Sequence, residues 1–231
     1  MGSESSDVYG AGRWHSLAGA VAAIAVLCTL HTYSAILLGT DAFHSAMSGS
    51  LSWVRDPDLV FLLNVVIFGI PLAHYGFKGF ARWWARSSAL PVNGTFREWM
   101  LLLQGWTGVF LVFYVGHHLV RVWAVMHFEW DGALNGASAL HEGATVSLVQ
   151  HVAAMVASSP AAIVFQVLGI FSVAFHVANG LWNFGVNWGI TSGPRAMARS
   201  TVVCAVAFGV IFVQGMDTLA TFISLYSGGA A

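Results

Sequence analysis

Five histidines, His31, His74, His117, His118 and His176, stand inside stretches that carry no charged side chain. An imidazole without a partner in hydrocarbon is costly, so ionisable residues at such depth mark candidate sites. Neutral imidazole is also the commonest metal ligand among side chains. A zinc site gathers three or four ligands at one point, with carboxylate or thiolate help, and the sequence offers no such grouping. Cys28 and Cys204 lack the CxxC and CxxCH spacings that hold metals or covalent haem, and read as small buried apolar residues. A haem iron of the b type needs only two imidazoles facing each other across a gap between helices. The plainer alternative is a set of isolated helix–helix hydrogen bonds.

The elements that carry these histidines set the class. The chain is 57% hydrophobic and 8% charged, with a mean hydropathy of +0.73, whereas ordinary soluble domains are about 25% charged. Uncharged runs cover 14–40, 59–77, 99–120 and 143–194, and a last run from 200 to 216 continues past Asp217. A helix crosses a bilayer in about 20 residues. The run 143–194 divides at Pro160, and its weakly apolar first part, "GATVSLVQHVAAMVASSP", reads as an amphipathic helix lying in the interface. The prediction is an all-α membrane protein with one domain over 1–231. Five transmembrane helices, at about 14–38, 58–82, 98–123, 161–190 and 200–225, form a bundle enclosing two b-type haems, with a short interfacial helix near 143–158. Barrel strands would alternate in polarity, and these runs do not. A net charge of −1 offers no basic surface for nucleic acid.

Cations orient the bundle. With five spans, Arg13, Lys78, Arg82, Arg86, Arg97, Arg195 and Arg199 share one side, while Arg55 and Arg121 lie on the other. That bias places the N-terminus in the cytoplasm. The first apolar run is too long for a signal-peptide core. His44, His127, His141 and His151 then fall in outer loops or the interfacial helix and read as solvated.

Depth pairs the rest. At about 1.5 Å rise per residue, His31 lies roughly 25 Å along helix 1, near the outer level, and His118 in helix 3 is at a similar depth. His74 in helix 2 and His176 in helix 4 both lie roughly 22 Å from the outer ends of their helices, towards the inside. Lys78 follows His74 at i+4 and Arg121 follows His118 at i+3, each one turn nearer water. Either cation suits a haem propionate; snorkelling to the interface explains both equally well. Of the doublet, only one residue can face the bundle, because neighbours point about 100° apart. An apolar stripe with Leu111 and Tyr114 favours His118, whereas Arg121 is within reach of both.

Several segments carry a family resemblance. "FHVANGLWNFGVNWGITSG" (175–193) resembles the fourth helix of the five-helix, dihaem cytochrome b subunit of succinate:quinone oxidoreductases and fumarate reductases. "RWHSLAG" (13–19), "IPLAHYGFKG" (70–79) and "QGWTGVFLVFYVGHHLVRVW" (104–123) are similar to the start of its helix 1 and to its helices 2 and 3. The resemblance implies a multi-pass anchor in the bacterial cell membrane, assembled with a flavoprotein subunit holding FAD and an iron–sulfur subunit on the cytoplasmic side. It implies electron transfer between succinate or fumarate and a quinone, menaquinone or ubiquinone, through two haem b groups. The inner haem maps onto His74 and His176, the outer onto His31 and His118, the same pairs that depth selects. The glutamate found in some fumarate reductases two residues before the inner ligand is Ala174 here. Further cofactor contacts are expected at His15, Ser16, Lys78, Arg82, Gln104, Trp106, Arg121, Asn179 and Trp182.

The quinone site has two candidate places. One is the outer end of helix 5, where Asp217, with Gln214 one turn before it, is a proton donor or else a residue that merely faces water. The other surrounds Ser16, Gln104 and Trp106 at the cytoplasmic interface. Two other classes stay open: a dihaem cytochrome b of a hydrogenase or formate dehydrogenase, and a haem-free transporter or sensor.

Overall fold

The computed structural model describes residues 3–51, 59, 62, 65–86, 95–124 and 142–228. Some side chains inside those ranges, among them His15 and Arg82, lie outside the description, as do His127, His141 and the first part of the expected second span. The described residues are almost all helical, with no strand among them.

Helix α1 (Ser3–Ser34) runs into a 3-10 turn (Ala35–Leu38) and stops at Gly39, whose φ of 114° suits glycine. Helix α2 (Thr40–Leu51) follows at once. Helix α3 (Ile70–Arg86) is preceded by a π turn over Val65–Gly69. Pro71 follows that turn in sequence, and a proline has no N–H to donate to the carbonyl four residues earlier, which a locally widened turn accommodates. Helix α4 (Phe96–Ala124) starts from a capping box. The Glu98 carboxylate accepts from the Thr95 amide at 3.0 Å, and the Thr95 hydroxyl accepts from the Glu98 amide at 3.4 Å.

Helix α5 (Glu142–Ala157) and helix α6 (Pro160–Asn187) meet at Ser158–Ser159. Ser159 caps α6 by accepting from the Ala162 amide at 3.2 Å, and Pro160 takes the first helical position, where its missing N–H costs nothing. Glycines at 189 and 193, with φ of 70° and 89°, turn the chain into helix α7 (Pro194–Gly228).

Four segments are long and apolar enough to cross a bilayer: Ser16–Leu38, Glu98–Arg121, Pro160–Asn187 and Pro194–Gly228. They match the first, third, fourth and fifth expected spans, although α7 begins six residues earlier than the expected 200. Of the second expected span, the π turn and α3 are described, and they are not among these four segments.

Packing places α1, α3, α4 and α6 in a ring. The contacting neighbours are α1 with α3, α3 with α4, α4 with α6, and α6 with α1, which leaves α1 diagonal to α4 and α3 diagonal to α6. Helix α7 packs outside the ring against α6 and α1. Helices α2 and α5 close one end, where Ile36, Phe43, Met47, Val149, Val152, Ala153 and Phe222 form a buried cluster. Phe43 is fully enclosed, with its ring 5.5 Å from that of Phe222 and 6.1 Å from that of Tyr33. Phe43→Ala is expected to cost about 3–5 kcal/mol, by lost burial plus the cavity left behind. The check is a lowered thermal midpoint in detergent; an unchanged midpoint would show that α2 adds nothing to the bundle.

Two expectations change here. Residues 40–51, expected as part of an outer loop, form α2. Cys204 is buried, but Cys28 is exposed, because it lies on the side of α1 turned away from the ring that Ala22 and Ala25 face.

Candidate functional site

Two inward-facing imidazoles define the site. His176, on α6, lies against α4 at a polar notch. The Thr107 hydroxyl is 3.3 Å from His176 Nδ1. Gln104, one turn earlier on α4, donates from Nε2 to the His176 carbonyl at 3.4 Å and accepts from Asn179 Nδ2 at 2.9 Å. Gln104 thus ties together two positions three apart on α6, which face the same way. Gly108 makes room for the ring: a Cβ there would sit 3.0 Å from His176 Cε1. Around the notch, Ala174, Phe175 and Ala178 are buried.

His118, on α4, borders a cavity of about 180 Å³ near the α2–α5 end. The cavity lies among α1, α4, α6 and α7, and Ile211, Gly215, Thr218, Leu219 and Phe222 line it from α7. Ala22, Ala25, Val26, Thr29, Leu30 and Tyr33 line it from α1, with Gln166, Ile170 and Val173 from α6 and Met155 and Val156 from α5. The His118 ring stands edge-on to Tyr33 at 5.4 Å. Tyr114 donates to Gln166 Oε1 at 2.8 Å, bridging α4 to α6. The walls are close because glycines permit it: the Tyr114 ring occupies the space of a side chain at Gly169, and Ile170 comes within 2.6 Å of a Cβ placed on Gly215. His117 and Arg121 also border the cavity; both side chains are exposed, and the His117 ring lies 5.2 Å from Phe165.

The other expected ligands stand differently. His31 is exposed: its neighbours Leu30 and Tyr33 face the cavity, and one position along a helix turns a side chain by about 100°. His74 is exposed on α3, on the side away from Gly76, which packs against Val112 of α4. Lys78 shares the exposed face of His74. Trp106 is 57% exposed, while Ser16 and Trp182 are partly buried. Gln104, Asn179 and His176 therefore come together as one group.

At the far end of α7 the two quinone candidates diverge. Gln214 turns inward and donates to the Ser34 hydroxyl at 2.7 Å, and Ser34 donates to the His31 carbonyl at 2.8 Å. Asp217 is exposed in a shallow groove with Leu37, Thr221 and Leu225. Gln214 acts as a strap between α7 and the end of α1. Thr107 escaped the sequence reading, although its place three residues after Gln104, on the same helix face, was the available signal.

Among the described residues there is no cluster of three or more metal-binding side chains. The donor chemistry instead consists of single imidazoles at two levels. The pairs selected by depth, His31 with His118 and His74 with His176, are carried by the two diagonals of the ring.

No protein-family model matches the chain. Over 213 residues, 91% of this chain and 95% of the relative, the sequence is 28% identical to the succinate dehydrogenase cytochrome b558 subunit of Bacillus subtilis (strain 168).

Proposed function

We propose that this chain is the membrane-anchor cytochrome b subunit of a succinate:quinone oxidoreductase, passing electrons between an iron–sulfur partner and quinone. The near-full-length likeness to a succinate dehydrogenase cytochrome b subunit carries the reading. The ring geometry supports it, since bis-imidazole ligation needs donors on helices that face each other across a core.

The donor chemistry suits b haem, with one imidazole inward at each of two levels and its proposed partner, His31 or His74, exposed in this structure. The space at one level is bounded mostly by apolar side chains, and glycine replaces a side chain beside His176. His74 and His176 would hold the inner haem, and His31 and His118 the outer. A b haem supplies one-electron redox chemistry when bound. The chain's own part is to present the imidazoles, exclude water with apolar walls, and place cations at the edges. Lys78 and Arg121, both exposed, would supply an ammonium and a guanidinium to pair with propionate charge. Succinate chemistry belongs to the flavoprotein partner. Position 174, two before His176, is a fully buried alanine, so no glutamate at that place relays protons. Fumarate reduction is the alternative direction.

Purifying the native complex through a tag on this chain tests the assignment. The expected partners are a flavoprotein with bound FAD and an iron–sulfur protein; nickel or molybdenum subunits in their place would identify a different respiratory complex. Asp217 supplies a narrower test. As a proton donor at a quinone site in its groove, Asp217→Asn slows quinone turnover severalfold and leaves succinate oxidation by artificial dyes intact. Equal loss of both activities, or no loss, removes Asp217 from the reaction and favours the end of the bundle around Ser16, Gln104 and Trp106.

A further inference from the structure

A histidine in a helix bundle can bind a metal through either ring nitrogen. The hydrogen bond made by the other nitrogen decides which. For His176 the neighbour of one ring nitrogen is Thr107. Thr107 is 4% exposed, and its hydroxyl donates to the Leu103 carbonyl, one turn back, at 2.8 Å. A second carbonyl, that of Gln104, lies at 3.3 Å on the same side. Back-bonding of this kind is routine for threonine in helices, and a hydroxyl has only one proton to give. With its proton on that back-bond, the Thr107 oxygen accepts towards His176 Nδ1, 3.3 Å away. An acceptor there calls for the neutral imidazole's proton on Nδ1 and its lone pair on Nε2.

We propose that Thr107 is a positioning residue that fixes His176 as its Nδ1–H tautomer, so that Nε2 is the nitrogen offered to the haem iron. This rests on the reading of His176 as an inner-haem ligand. The rest of the notch serves the same end. Gln104 holds the His176 carbonyl and Asn179, which fixes the rotation of α6 against α4. Gly108 sets the ring's approach, because a side chain there would press on Cε1. Rotation, approach and tautomer are thus all set from α4. An acceptor on Nδ1–H also raises the basicity of the ligating nitrogen and so favours the oxidised iron.

The test is a redox titration of the haem absorbance in the purified complex, comparing wild type with Thr107→Val and Thr107→Ser. Thr107→Val keeps the shape and removes the acceptor. It is expected to raise the midpoint of one haem component and leave the other in place. Thr107→Ser keeps the acceptor and is expected to titrate as wild type. The affected component should be the one that His176→Ala removes. If Thr107→Val does not assemble, Thr107→Cys replaces it: sulfur is a weak acceptor, and the same upward shift is expected. An unshifted midpoint in Thr107→Val or Thr107→Cys, or an equal shift in Thr107→Ser, overturns the tautomer assignment while the ligand assignment stands. Full haem content in His176→Ala overturns both.

Discussion

His176→Ala is expected to yield a complex with one b haem in place of two, and His74→Ala should lose the same component. The imidazole at 176 meets Thr107 at its ring, and its main chain accepts from Gln104. Alanine removes the donor and leaves a gap beside Gly108. A haem with a single axial imidazole binds far more weakly, and an empty core at this level should also reduce the yield of assembled complex. Quinone reduction should fall by at least tenfold, while any complex that still assembles should reduce artificial dyes from succinate. Haem content per protein, measured after denaturation, is the readout. Retention of both haems would falsify the placement of the inner ligand.

His118→Ala is expected to abolish the other haem component, and His117→Ala to spare it. The two residues are adjacent, but the fold treats them differently. His118 is partly buried against Tyr33, at the cavity among α1, α4, α6 and α7. His117 is exposed and touches Phe165 at the rim. One position along the helix separates them by about 100°, so both cannot face the α1 diagonal. Loss of the outer component in His117→Ala alone would mean that α4 is rotated by one residue relative to this structure. His31→Ala provides the matching test on α1. It is a demanding one, because His31 itself is exposed while Leu30 and Tyr33 face the cavity.

Spans were legible in the sequence because bilayer crossing needs long uncharged runs, and length survives any error in detail. The joint at Pro160 was legible for a different reason: proline favours a first helical position and Ser159 caps it. Helix α2 was not legible. Its 12 residues include Gly49 and polar positions throughout, and its register is set by Phe43 docking on Phe222 rather than by its own pattern. The π turn was hidden too, since Pro71 signals a helix defect without specifying its form.

At the site, counting residues gave depth but not rotation. Depth pairs His74 with His176 and His31 with His118, and the ring places those pairs on its diagonals. The direction each side chain takes depends on neighbouring contacts such as Gly76 on Val112, which no periodicity in a lipid-facing helix encodes. Gln214 illustrates the same limit. It shares a turn with Asp217 in sequence, yet its amide turns inward to Ser34 while Asp217 stays outside. Thr107 required knowing that α4 and α6 meet at that level.

The most direct measurement of the central claim is a dithionite-reduced-minus-oxidised spectrum, with haem quantified per chain, on the complex purified from native membranes. The account predicts b-type bands and two haems for each copy of this chain, titrating as two components. A colourless preparation would contradict it and leave these histidines as interhelical hydrogen-bonding groups.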